Sequence, residues 1–516
     1  MSVGSSDNEN RDPESANAKG PNKQKSLDSK KLCKFKSLRR SLRFLKFLII
    51  LNGACLAMLI YLLFYLNLRG KHEYWNVKID IHNDSCGMRR NENTQPRDCA
   101  TSTTKSVQKL DAWSEYFLNG IPETLNCPEL FNNDTDAFAK YESSGRLQVF
   151  DDIPLSMDCE SIKRRIVGDI KFSQLERPIA FARNIFEDYI TQEAFISSSY
   201  HPDNAFCFVI DSKSDIMFVD RMRQLDECLE NVLVSETAYD MDSSGHFQDH
   251  AHLDCLNVLL ERNKRWKHVL LLQNHDFIIK SPKELSEISK LLNETHAIGI
   301  QPPDEARQIF RYNKDADWTP RGLRLWKNET GKTETQLSTS LTIGKSTNEV
   351  FLSRTFVEAI FEELNMERLL NQISDPQFYG VDEIFFHTLV INSWMRLPGQ
   401  IQNPCGLRIR NLARWTHWDY GKDSTHCHSK ALRHNICILG VEYLPIVRNR
   451  PEILANKVNQ EFDFGAVLCM RKSMNRIESG STVEGHLEMK HYERLPQVKQ
   501  MKLIQNGDTN LTTFRC

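Results

Sequence analysis

An uncharged apolar run from Phe47 to Leu68 constrains this chain more than any other stretch. As a helix rising ~1.5 Å per residue it extends ~33 Å, enough to cross a hydrocarbon core of ~30 Å. The flank before it carries Lys30, Lys31, Lys34, Lys36, Arg39, Arg40, Arg43 and Lys46. A basic flank of this kind stays cytosolic. A cleavable signal peptide fits less well, because the run starts far from Met1, outruns an h-region and lacks a small-residue cleavage site after it. The expectation is a type II anchor: a basic, disordered cytosolic tail over 1–46, a transmembrane signal-anchor over 47–68, and a luminal remainder.

Two independent features agree with that orientation. Asn-X-Ser/Thr sequons begin at Asn83, Asn133, Asn293, Asn328 and Asn510, all beyond the run. Of the 14 cysteines, only Cys33 and Cys55 precede Leu68, which suits an oxidising compartment. No CxxC occurs and the cysteines do not cluster at zinc-ligand spacings. A net charge of −2 argues against a nucleic-acid partner, since such proteins carry a basic bias. Residues 69–120 are polar and irregular, including NENTQPRDCATSTTKS, and read as a stem. Residues 121–516 are long enough to bury a large core, as one large domain or two tightly joined halves, and they contain no internal repeat.

Within that domain, strands and helices alternate. Pro178–Arg183 reads as a strand and Ile185–Ser198 as a helix, followed by a buried strand over Ala205–Ile210 that ends at Asp211. Met217–Leu229 reads as a helix, Asn231–Ser235 as a strand, His252–Asn263 as a helix and Trp266–Leu272 as a strand running into Gln273-Asn-His-Asp276. This order predicts an α/β domain with a largely parallel sheet. Ligands of such sheets bind beyond the strand C-termini, where Asp211 and Asp276 fall.

The blocks PIAFAR, NAFCFVIDSKS, HLDCLNVLL and WKHVLLLQNHDFIIKS, followed in order by GVDEIFFHTLV, RWTHWDYGKD, HNICILG and LANKVN, resemble the core-2/I-branching β-1,6-N-acetylglucosaminyltransferase family. The likeness runs from about Cys127 to Cys469. It implies a GT-A-like nucleotide-sugar transferase fold of the metal-independent kind and a Golgi membrane location. It also implies an inverting transfer of GlcNAc from UDP-GlcNAc to a glycan hydroxyl. The family's catalytic base is the glutamate of a Ser-Pro-Asp-Glu block, matched here by Gly380-Val-Asp-Glu383. A carboxylate in reach of the attacking hydroxyl typically supplies about 10²–10⁴-fold; taken alone, Asp382 and Glu383 read as acids in the first turn of an exposed helix, and it is the surrounding blocks that single out Glu383.

The family neutralises the departing diphosphate with basic side chains rather than a metal. Lys457 and, with one extra residue before Cys437, Arg433 match them. Asp211 matches the residue that contacts the uridine or ribose, and Trp415 an acceptor-side tryptophan. Implied disulfides join Cys127 with Cys469, Cys159 with Cys228, Cys207 with Cys255 and Cys427 with Cys437. Cys86, Cys99, Cys405 and Cys516 are left to pair among themselves or across a disulfide-linked homodimer. No divalent metal is expected: Asp240-Met-Asp242 and Asp315-Ala-Asp317 follow no clear apolar strand, and the spacing of His246, His250 and His252 is common in helices. The pattern departs from the family on the acceptor side. The acceptor glutamate falls near Gly299, an aromatic residue becomes His417, and Pro302–Ser338 does not align. Two other readings stay open: a peptide O-xylosyltransferase, whose usual extra C-terminal domain has little room here, and a non-catalytic luminal glycan-binding protein.

Overall fold

Strand β1, Ile179–Ile185, is buried along its whole length and organises the domain. In the computed structural model, the described residues are 120–262, 265–301, 311–400, 409–420, 426–480, 487–507 and 514, all within one compact unit, Lys105–Cys516. The expected tail and anchor, the stem through residue 119, Cys86, Cys99, Cys405, Cys516, Asn83 and Asn510 lie outside the described residues. Among the described residues no helix is long and apolar enough to cross a membrane.

A strand buried on both faces must present apolar residues in succession rather than alternation, as β1 does with Ile-Ala-Phe-Ala before Arg183. It pairs in parallel with β2, Ala205–Ile210, on one side and with β4, His268–Leu272, on the other. β3, Val232–Val234, extends the sheet beyond β2, and β6, Phe351–Ser353, closes the other edge antiparallel to β4. The order is therefore β3-β2-β1-β4-β6. Phe181 and Phe206 stack on one face with centroids 4.9 Å apart, in the core that also holds Phe195 and Phe208. Ala180, Ala182, Cys207 and Val209 turn to the other face, against the helix Gln248–Arg262.

The helix expected from Ile185 starts later, at Tyr189. Ile185 is the last strand residue, registered with Ile210, and Asp188 turns the chain at φ +65°. The helix expected from His252 begins one turn earlier, at Gln248. A second sheet is built from β5, Asp276–Ile278, β10, Leu454–Asn456, and β7, Arg414–Thr416, with β10 central. A hairpin, β8 Leu432–Arg433 and β9 Ile436–Cys437, packs alongside. Disulfides join Cys127 to Cys469, Cys159 to Cys228, Cys207 to Cys255 and Cys427 to Cys437. The third ties β2 to the helix Gln248–Arg262, and the fourth closes onto the hairpin. Asn133 and Asn328 are exposed, whereas Asn293 is half-buried at the end of the helix Pro282–Leu292.

Candidate active site

The sheet's order reverses at β1, and side chains beyond the ends of β1 and β4 meet there. Asn274 Oδ1 accepts the backbone N–H of Phe186 at 2.9 Å and of Glu187 at 3.2 Å. Beneath them lies Arg183, fully buried, donating through Nη2 to the carbonyls of Asn274 at 2.7 Å and Asp276 at 2.8 Å. Burial pulls its pKa down to about 10 against the opposing pull of Asp276 and Asp188. That guanidinium fixes the turn 273–276, and its place inside an apolar strand is a signal the sequence reading passed over.

Lys457 follows β10, whose Asn456 side chain donates to Asp276 Oδ1 at 2.9 Å. It is half-buried and has no ion-pair partner among the described residues. Burial, then the charges of Arg433 and Arg414, push its pKa down to about 8. Arg433, on β8, places Nη1 3.2 Å from His275 Nε2 and 3.9 Å from Glu187 Oε1. Two cations with little local compensation suit a polyanion.

Glu383 ends a short 3₁₀ turn, Val381–Glu383, that leads into the helix Phe385–Ile391. Its Oε2 is paired with Arg311 Nη1 at 2.6 Å and Lys345 Nζ at 2.9 Å, and that oxygen is buried. The side chain is nevertheless 29 % exposed, so its exposure falls on the rest of the carboxylate. Both cations sit on one oxygen, and Oε1 is left to accept. Gly380 makes the clamp possible: its φ is +65°, and a Cβ there would lie 1.5 Å from Arg311 Nη1. Next to the base, buried Asp382 accepts from Asn348 Nδ2 at 2.8 Å and Gln273 Nε2 at 3.1 Å. Burial, Glu383 and Glu349 raise its pKa to about 7.

Glu349 and Arg414 join the two ends of the site. They pair at 2.7 Å, with Glu349 wholly buried. The charge of Glu349 acts on Asp382 and Asp276, and Arg414 lies within electrostatic reach of Asp276, Glu383 and Lys457. The structure thus brings Glu383 and Lys457 to either side of the Glu349–Arg414 pair, with Arg433 beside Lys457. Asp211 sits one strand away, at the end of β2, where its Oδ1 accepts the Lys213 N–H at 2.8 Å. Trp415 neighbours Arg414 on β7, and successive side chains of a strand take opposite faces. Its half-buried ring lies 6.0 Å from Tyr443 and 6.4 Å from His417, with the Arg450 guanidinium 5.3 Å away.

His246, His250 and His252, whose spacing superficially suits a metal, go separate ways. His246 pairs with Asp242, His250 packs against Phe247, and the His252 Nε2 lies 3.1 Å from the Leu272 carbonyl. Asp240 pairs with Lys213, and Asp317 Oδ1 accepts the Thr319 backbone N–H at 2.8 Å. Among the described residues, two groups place ligand-type atoms together. One contains the disulfide-bonded Cys427 and Cys437 with Asp419; the other is Glu187, Asp188 and His275, whose imidazole also meets Arg433.

The family model for core-2/I-branching enzymes matches residues 179–448, which span β1 to the segment just before β10. A mouse beta-1,3-galactosyl-O-glycosyl-glycoprotein beta-1,6-N-acetylglucosaminyltransferase 3 is 25% identical over 372 residues, 68% of this chain and 82% of that protein. The human protein of the same name is 24% identical over 370 residues, with the same shares covered. A bovine herpesvirus 4 enzyme, a beta-1,3-galactosyl-O-glycosyl-glycoprotein beta-1,6-N-acetylglucosaminyltransferase, is 24% identical over 334 residues, 62% of this chain and 73% of its own.

Proposed function

This chain belongs to the core-2/I-branching enzyme family and is a glycosyltransferase, and from that premise we propose that it moves N-acetylglucosamine from UDP-GlcNAc to a glycan hydroxyl in β-1,6 linkage. Glu383 Oε1 takes the proton of the acceptor hydroxyl as that oxygen attacks the anomeric carbon. The bond from that carbon to the β-phosphate oxygen breaks on the opposite face, and UDP departs. One displacement inverts the anomeric centre. Lys457 and Arg433 neutralise the charge that builds on the leaving diphosphate, a role that fixed cations fill without reorganisation. Asp211 holds the uridine or ribose, and the open part of the Trp415 ring receives the acceptor. The reaction needs no divalent metal on this reading, and the fold is a GT-A-like nucleotide-sugar fold anchored as a type II protein in the Golgi membrane.

The observation that carries the proposal is the one-sided clamp on Glu383, with both cations on Oε2. The relatives' names favour N-acetylglucosamine over xylose as donor sugar. The test supplies the detergent-solubilised full chain with UDP-GlcNAc, UDP-xylose or UDP-GlcUA and a library of glycan acceptors, in EDTA. Transfer is expected from UDP-GlcNAc alone, reduced about 10²–10⁴-fold in Glu383→Gln. Transfer only from UDP-xylose, dependence on added metal, or wild-type turnover by the variant each overturns a named part of the reading.

A further inference from the structure

The loop 242–246 docks on the turn that carries Glu383. Within the loop, Asp242 Oδ1 accepts the N–H of Ser244 at 2.9 Å and of His246 at 3.1 Å, and its Oδ2 lies 2.7 Å from His246 Nδ1. The other ring nitrogen, Nε2, lies 3.2 Å from the Asp375 carbonyl oxygen. Two further contacts follow. The Ser244 carbonyl accepts from Gly380 N at 2.6 Å and Val381 N at 3.0 Å. Gly245, at φ +92°, lies so close to Asp382 that a Cβ would be 2.1 Å from its Oδ1. The loop therefore touches the segment at 375, 380–381 and 382, and the next residue is Glu383.

A carboxylate and a carbonyl only accept hydrogen bonds. An imidazole that faces one with each nitrogen must carry a proton on both. We infer that His246, as an imidazolium ion, is a positioning residue for Glu383, latching the loop 242–246 onto the turn that presents the base. The inference rests on Glu383 being the base.

The surroundings support the cation. The charged group facing it is Asp242 from its own loop; from the docked segment it meets the Asp375 backbone carbonyl, while Asp382 lies against the neighbouring Gly245. Burial alone draws the His246 pKa down. The hydrogen bond and charge of Asp242, with the Asp375 and Phe378 carbonyls, outweigh that and hold it above the usual value. A raised value means that the latch is closed at low pH and opens as pH rises through it. Once the proton leaves, one ring nitrogen presents a lone pair to an oxygen, and the ring loses either its contact to Asp242 within the loop or its contact across to the Asp375 carbonyl, while the Ser244 carbonyl keeps its two bonds. The Asp-Met-Asp sequence here serves a loop anchor.

The test measures turnover against pH for the detergent-solubilised full chain with UDP-GlcNAc, comparing wild type with Asp242→Asn, His246→Gln and Glu383→Gln. Asp242 is about half exposed, so Asp242→Asn keeps the fold while removing the counter-charge. Its alkaline midpoint should fall by about one pH unit; the Lys457 titration is common to both proteins and does not move. His246→Gln should lower kcat about tenfold, with donor KM unchanged. An unmoved alkaline limb in Asp242→Asn, or wild-type kcat in His246→Gln, overturns the latch. Glu383→Gln separates the two readings: activity in that variant removes the base, whereas an inactive Glu383→Gln with an unmoved Asp242→Asn profile removes only the latch.

Discussion

Lys457 and Glu383 stand among contrasting neighbours, Lys457 beside two cations and Glu383 held by two. Each is a charged side chain whose neighbours decide which ligand it can meet. Lys457 sits beside Arg433 and Arg414 and has no ion-pair partner among the described residues; on the proposed reading the leaving diphosphate meets this cation, whose pKa burial and those charges bring to about 8. Its depressed pKa has a definite sign: the ammonium is present below about 8 and lost above it, so turnover should fall as pH rises through that value. Lys457→Arg, which stays charged, should carry activity to higher pH. Lys457→Ala should cost about 10²–10³-fold in kcat. A pH–rate series on the three proteins checks both. Glu383, Lys457 and Arg433 could be named from the sequence because each lies in a short contiguous block that resembles the family's. Arg311, Lys345, Glu349 and Arg414 could not, because nothing local marks a partner that arrives from a distant segment.

At the scale of elements, β7 sets two adjacent side chains on opposite faces. Arg414 turns into the site, donating to Thr416 Oγ1 at 2.6 Å as well as pairing with Glu349, while Trp415 packs against Tyr443. Arg414→Lys keeps a charge for Glu349 but loses the planar fork; kcat should drop about tenfold with the melting temperature little changed. Trp415→Ala should destabilise the fold by about 2–3 kcal/mol, less than a fully buried aromatic, and raise KM for acceptor but not donor. Steady-state kinetics with each substrate varied, alongside thermal melts, separates the two faces. If Trp415→Ala raised donor KM instead, the assignment of faces would be wrong. The start of the helix at Tyr189 is a related case. Apolar spacing alone fits Ile185 and Phe186 to a helix, but pairing of Ile185 with Ile210 keeps it in the strand.

For the whole molecule, the longest disulfide among the described residues joins Cys127 to Cys469 across 342 residues. It ties the start of the described domain to the helix Gln460–Glu478. Replacing both cysteines by serine should cost about 2–5 kcal/mol, read as a lower midpoint in urea under non-reducing conditions. An unchanged midpoint would mean that packing alone holds these segments. The sheet matters more for the chemistry. Its reversal at β1 brings the ends of β1 and β4 together, and β10 then carries Lys457 to the same place.

The sequence by itself determined the alternation of buried strands and helices, the polar turns at their ends, and the short blocks holding Glu383, Lys457 and Arg433, because each depends on contiguous residues. Only the tertiary structure decided that Arg311 and Lys345 share one oxygen of Glu383, that Glu349 holds Arg414, that Trp415 turns away from its neighbour, and that His246 bridges two acceptors. These outcomes depend on strand register and on which loops the sheet brings together. Since a shift of one residue exchanges the faces of a strand, no local pattern of residues encodes them.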